Sequence, residues 1–241
     1  MKALILAAGR GTRMGALTAA LPKPMVPVQG KPILEKIITG LRDAVGIREF
    51  YIVVGYQGEI IRAHFGDGFR WDVSIVYGEQ AVQDGTGKAP EIAREWIGAE
   101  AFFLSYGDIL VDPAYYATLA ARWEESGAEG AVGLVEGQDL TKGGAIVLDP
   151  EGNVVRIVEK AAPDAIPANA YYNSGLYLLT PRIFAFTATL EKSARGEYEL
   201  TDALRGLASA GKLRGVLLGD EWVDVRDPEV LATLNRPQPR S

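Results

Sequence analysis

The chain has 241 residues, 48% of them hydrophobic and 23% charged, with a formal net charge of −6 and no cysteine. Such a content supports a sizeable core, while the acidic balance speaks against a nucleic-acid partner, which calls for a basic face. The lack of cysteine excludes disulfides and thiolate metal sites and fits a reducing cytoplasm, the expected location. No stretch approaches a membrane span, and the opening apolar run, stopped by Arg10, is too short for a signal peptide.

The apolar run from Ala3 to Ala8 predicts a buried parallel strand. It ends in Gly9-Arg10-Gly11-Thr12-Arg13, followed by the proline-braced lysine of Leu21-Pro22-Lys23-Pro24. Glycines at a strand's carboxyl end let backbone N–H groups close on an anion, and Arg10, Arg13 and Lys23 would neutralise it. The expected ligand of this loop is a polyphosphate. A dinucleotide fingerprint is excluded because Gly15 falls one place late, and a Walker loop is excluded because Gly15 is followed by Ala16-Leu17-Thr18.

Ile33, Leu34, Ile37, Ile38 and Leu41 have helical spacing, with Pro32 at the first turn. Further along come a strand from Phe50 to Val54, a short helix from Glu59 to Phe65, a strand from Val73 to Tyr77 and a helix from Ala89 to Trp96. His64, the only histidine, sits in that short helix away from every strand end and reads as a surface or capping residue. Between Glu79 and Ala89, a glycine-rich turn enters a helix, a place where backbone can approach a flat base while a nearby amide reads its edge. A strand from Ala101 to Ser105 leads to Asp108, a helix from Pro113 to Glu125 follows, and then a strand from Ala131 to Val135. Ala145 to Leu148, Val154 to Val158 and Leu176 to Leu179 are short strands joined by turns. Helices return at Glu199 to Ala210 and Pro228 to Leu234, around a strand from Leu213 to Leu218, and Arg236 to Ser241 reads as a frayed tail. The fold class is therefore α/β. A doubly wound, mostly parallel sheet runs through residue 135, and an antiparallel insert, roughly 140–180, packs against its carboxyl edge. Asp112 and Asp227, each followed by proline, read as helix starters.

Residues 3–32, ALILAAGRGTRMGALTAALPKPMVPVQGKP, resemble the signature of the sugar nucleotidyltransferases, also called nucleotide-sugar pyrophosphorylases, and the chain resembles their glucose-1-phosphate thymidylyltransferase and sugar-1-phosphate uridylyltransferase catalytic domains. The resemblance implies a Rossmann-like nucleotidyltransferase fold in a single domain, 1–241, with nucleotide bound by 1–135 and sugar phosphate by 136–241. No C-terminal β-helix is expected. It implies that a nucleoside triphosphate and a sugar 1-phosphate are the partners, with no nucleic acid and no membrane, and leaves a homo-oligomer open.

The resemblance also assigns roles. Arg13 and Lys23 would be the catalytic cations. Leu6, Ala8, Gly9, Gly11 and Thr12 would hold the nucleotide, together with Gln80, Gly85 and Thr86 in a turn similar to the family's base-binding turn. Gln80 stands where uridylyl and thymidylyl members contact the pyrimidine, which favours UTP or dTTP, although Gln83 is an alternative reader if the loop bulges. Asp108 and Asp224, in Gly107-Asp108 and Trp222-Val223-Asp224, match the family's metal positions, implying Mg²⁺. On the sugar side, Glu159 and Lys160 resemble the pair that meets hydroxyls and phosphate, Asn173 is placed for a hydroxyl, and Arg195 in Ser193-Ala194-Arg195-Gly196-Glu197 for phosphate. Gly144 matches the backbone-contact glycine, but Gly143 stands where the family often has tyrosine. The expected reaction is nucleotidyl transfer to a sugar 1-phosphate. The alternatives are guanylyl or cytidylyl transfer, a non-sugar phosphate acceptor, and a regulatory homologue that binds without turnover.

Overall fold

The computed structural model describes residues 1–236, so most of the expected tail, 237–241, lies outside the described residues. The strands are β1 (Lys2–Ala7), β2 (Pro27–Val28), β3 (Lys31–Pro32), β4 (Glu49–Val54), β5 (Ser74–Glu79), β6 (Phe102–Tyr106), β7 (Ile109–Val111), β8 (Gly130–Val135), β9 (Gly144–Leu148), β10 (Val154–Glu159), β11 (Tyr171–Leu179), β12 (Leu213–Leu217) and β13 (Trp222–Asp224). The α-helices are α1 (Ile33–Val45), α2 (Gly58–Phe65), α3 (Arg94–Ile97), α4 (Ala114–Ser126), α5 (Phe184–Thr187), α6 (Leu200–Ser209) and α7 (Pro228–Leu234).

β1 pairs in parallel with β4 on one side and β6 on the other, and β5 extends the sheet beyond β4. The chain leaves β1 toward β4 and β5, then crosses back to β6. The loops following β1 and β6 therefore border a topological switch point, where open α/β sheets bind ligands. Alternation along the strands divides two cores. Ala3, Ile5 and Ala7 face α1, α2 and α4, whereas Leu4 and Ala8 face α3, α5 and α6. All five apolar positions expected on α1 are fully buried, and Gly46 closes that helix in the left-handed conformation. His64 packs against Phe65 and Trp71 beside Glu35, remote from the switch point.

The sheet differs from expectation in one respect. β11 is nine residues long and lies inside the main sheet, antiparallel between β6 and β8, while its first residues pair with β9. Only β9, β10 and this first stretch form the expected antiparallel insert. The cause is the run Leu176-Tyr177-Leu178-Leu179, which is buried on both faces and so belongs in a sheet's centre rather than at its margin. At Gly175, with φ of 78°, the register on β8 shifts.

Candidate active site

The loop after β1 is shaped by Gly11, whose φ of 62° is left-handed and whose missing Cβ leaves room for Lys23, 2.9 Å from where it would stand. Thr18 closes the loop by donating to Gly11 O at 3.0 Å. Lys23 is only 6% exposed and donates to Asp108 Oδ2 at 2.5 Å, with Asp224 Oδ1 3.5 Å away. The two aspartates, far apart in sequence, meet because β7 and β13 form a separate antiparallel pair that sets Asp224 opposite Ile109. Burial and the neighbouring Asp108 charge push the Asp224 carboxyl up, against the opposing pull of Lys23, Arg13 and Arg226. Asp112 and Asp227 accept from backbone N–H groups at the starts of α4 and α7, as expected.

Two cavities flank these aspartates. The larger, about 840 Å³, is lined by Leu6, Ala8, Gly9, Gly11, Thr12, Arg13 and Lys23 of the first loop, and by Gln80, Gly85 and Thr86 across from it. The smaller, about 260 Å³, is lined by Gly144, Glu159, Lys160, Asn173, Arg195 and Asp224. Arg13, Gly85, Thr86, Tyr106, Asp108 and Arg226 line both, so the cavities adjoin. Arg10 faces the ring of Tyr56 at 5.7 Å, whereas Arg13 is exposed at the junction.

Several side chains that line these cavities are also bonded within the protein. Gln80 Nε2 donates to Gly85 O at 2.9 Å, and Thr86 Oγ1 accepts from Leu200 N at the start of α6. Gly85 has φ of 115° because it pairs with Tyr198, and a Cβ there would stand 2.2 Å from Tyr198 O. Asn173 Nδ2 donates to Tyr177 Oη at 2.8 Å, and its Oδ1 accepts from Gly175 N. Arg195 is gripped by Glu197 and, at 3.3 Å, by Glu199. Lys160 takes a left-handed φ of 43°, of the kind that clusters at functional sites. Burial pushes the Glu159 carboxyl above its ordinary range.

Tyr106, Tyr172 and Arg226 also line the site but have no role in the sequence reading. Arg226 had a legible signal, since a cation two places beyond Asp224 along an extended segment falls on the same side. Tyr172 had none. Burial pushes the hydroxyls of Tyr106 and Tyr172 up to about 12, so both are protonated at neutral pH. No helix among the described residues is long and apolar enough to cross a membrane.

The family model described as nucleotidyl transferase matches residues 2–238. The chain is 36% identical over 236 residues to "Bifunctional protein GlmU" of Methanococcus maripaludis, covering 98% of this chain but 54% of that protein, about half its length. It is 35% identical over 232 residues to the UTP–glucose-1-phosphate uridylyltransferase AglF of Haloferax volcanii, covering 95% of this chain and 93% of the relative. A solved Bacillus anthracis structure in complex with sucrose, assigned as a glucose-1-phosphate thymidylyltransferase, superposes with a TM-score of 0.85 at 25% identity, covering 98% of this chain and 94% of that one. UDP-glucose pyrophosphorylase complexed with UDP-glucose superposes with a TM-score of 0.88 at 24% identity, covering 97% and 96%.

Proposed function

Because the chain belongs to the nucleotidyl transferase family, we propose that it transfers a nucleotidyl group from UTP or dTTP to a sugar 1-phosphate, releasing pyrophosphate. The observation that carries this reading is the pair of adjoining cavities, one walled by the glycine-rich cationic loop and the other by Glu159, Lys160 and Asn173. Most of the walls for nucleotide come from residues 1–135, and most of the walls for sugar phosphate from 136–241. The relative named a UTP–glucose-1-phosphate uridylyltransferase supports the same substrate class.

A phosphate oxygen of the sugar 1-phosphate attacks the α-phosphorus in line. One P–O bond forms, the bond to the β-phosphate oxygen breaks, and pyrophosphate leaves with the electron pair. With a second pKa of about 6, the nucleophile is largely dianionic at neutral pH and needs no general base. The protein's task is to overcome repulsion between two anions and to stabilise charge in the transition state. Arg13 lies at the junction where the two phosphates would meet, Lys23 on the triphosphate side, and Lys160 and Arg195 on the sugar-phosphate side.

Asp108 and Asp224 suit Mg²⁺. Two carboxylates are held together on one ammonium beside a cavity shaped for phosphates, and magnesium takes one or two carboxylates plus phosphate oxygens and water. When bound there, the ion would neutralise developing charge on the α-phosphate. Cytoplasmic location, where nucleoside triphosphates are supplied, completes the proposal.

The base preference rests on Gln80. One of its amide hydrogens goes to Gly85 O, leaving the second N–H for O4 of a pyrimidine and Oε1 for N3–H. UTP or dTTP is therefore expected to exceed GTP, ATP and CTP in kcat/KM. Gln80→Glu should damage pyrimidine use twice over, by removing the donor to O4 and by facing a carboxylate at the Gly85 carbonyl, with each unpaired buried group costing about 1–3 kcal/mol. A panel of these triphosphates against glucose, mannose and N-acetylglucosamine 1-phosphates, followed by pyrophosphate release, tests both levels. A preference for GTP would overturn the role of Gln80, and no turnover with any pair would overturn the function.

A further inference from the structure

Tyr172 opens the smaller cavity from the β11 side and is 7% exposed. Its ring is locked edge-to-face on Trp222, with centroids 5.5 Å apart, and Trp222 is itself fixed by Nε1 donating to Ser174 O at 2.8 Å. Its hydroxyl is placed by a neighbour that lacks a side chain. A Cβ on Gly143 would stand 2.5 Å from Tyr172 Oη and 2.6 Å from Cζ, so the phenol fills space that any other residue at 143 would claim. Gly143 has an extended backbone, which any residue adopts, so the glycine is not needed for its conformation. It is needed for room.

The polar side chains beside it on β11 and β6 are bonded within the protein, whereas Thr201 Oγ1 in the same cavity is buried without a partner among the described residues. Asn173 bonds Tyr177 and Gly175 N, and Tyr177 Oη donates to Tyr106 Oη. The Tyr172 hydroxyl has no hydrogen-bond partner among the described residues, although the ring that carries it is buried and rigid. Tyr172 lines a cavity shared with Glu159 and Asn173, so its unpaired hydroxyl is free to bond a ligand there. A neutral phenol both donates and accepts, which matches a hydroxyl better than a phosphate, since a phosphate is served by the cations Lys160 and Arg195 in the same cavity.

We propose that Tyr172 is a specificity-determining residue whose hydroxyl bonds one hydroxyl of the sugar ring, in a position that Gly143 exists to leave open. This rests on the reading of the smaller cavity as the sugar 1-phosphate site. The test uses whichever of glucose, mannose or N-acetylglucosamine 1-phosphate the wild-type protein turns over fastest, together with its monodeoxy analogues. Tyr172→Phe should raise KM for the sugar 1-phosphate about tenfold and leave KM for the nucleoside triphosphate unchanged. One monodeoxy analogue should carry a similar penalty with wild-type protein and none beyond it with Tyr172→Phe, because the same bond is lost from either side. Gly143→Ala, which pushes the phenol aside, should raise the same KM and no other. A purely structural tyrosine would lower the melting temperature without this selective shift. If the wild type turns over a sugar 1-phosphate and Tyr172→Phe leaves its KM unchanged, or every analogue's penalty adds to that of the variant, the proposal fails alone. If the wild type turns over none of them, the functional reading fails and takes the proposal with it.

Discussion

Replacing Arg13 by alanine is expected to lower kcat about 10²–10³-fold, the usual loss when one charge-assisted contact to a reacting anion is removed. Stability should stay within about 0.5 kcal/mol, because Arg13 is exposed and has no ion pair among the described residues. Lys23→Ala should cost a similar factor in turnover, but with a different stability result. Lys23 is buried between Asp108 and Asp224, and its removal leaves two adjacent carboxylates with only Arg13 and Arg226 to offset them, a change that costs up to about 3–5 kcal/mol, the cost of breaking a buried pair. Kinetics and thermal melts on the two variants separate these effects. Full activity in a folded Arg13→Ala protein would remove the β1 loop from the chemistry.

The second large effect concerns the aspartates. Turnover is expected to vanish in chelator and return with Mg²⁺, and Asp108→Asn and Asp224→Asn should each reduce it by at least about 10²-fold. Asparagine keeps the shape and a hydrogen bond to Lys23 but gives up the charge a cation needs. Metal titrations of each variant provide the check. Undiminished turnover in chelator, or dependence on only one aspartate, would dismantle the two-carboxylate site.

Both predictions depend on residues that could be read in the chain, but the reason they meet could not. β1 and α1 were legible because each is a local pattern, a continuous apolar run and a set of apolar residues at helical spacing. Asp108 and Asp224 were visible as carboxylates near strand ends, whereas their convergence depends on β7 and β13, three residues each, which lack a periodic signal of their own and form through pairing distant in sequence. The central position of β11 was hidden for a related reason. Its first part pairs with the insert and its second part with the sheet, and four apolar residues do not announce which. Gln80 and Thr86 were legible as residue types in a base-binding turn, but not as the hydrogen bonds to Gly85 and Leu200 that hold the turn. Tyr172 was illegible altogether, because its position depends on an atom that Gly143 does not have.

The most direct measurement follows an α-phosphate label from [α-³²P]UTP, or its dTTP counterpart, in the presence of Mg²⁺ and a sugar 1-phosphate. The label is expected to move into a nucleotide-diphospho sugar, with one pyrophosphate released for each label transferred. Label that remains in the triphosphate with every sugar 1-phosphate supplied, or that emerges only as the nucleoside monophosphate through transfer to water, would contradict that expectation.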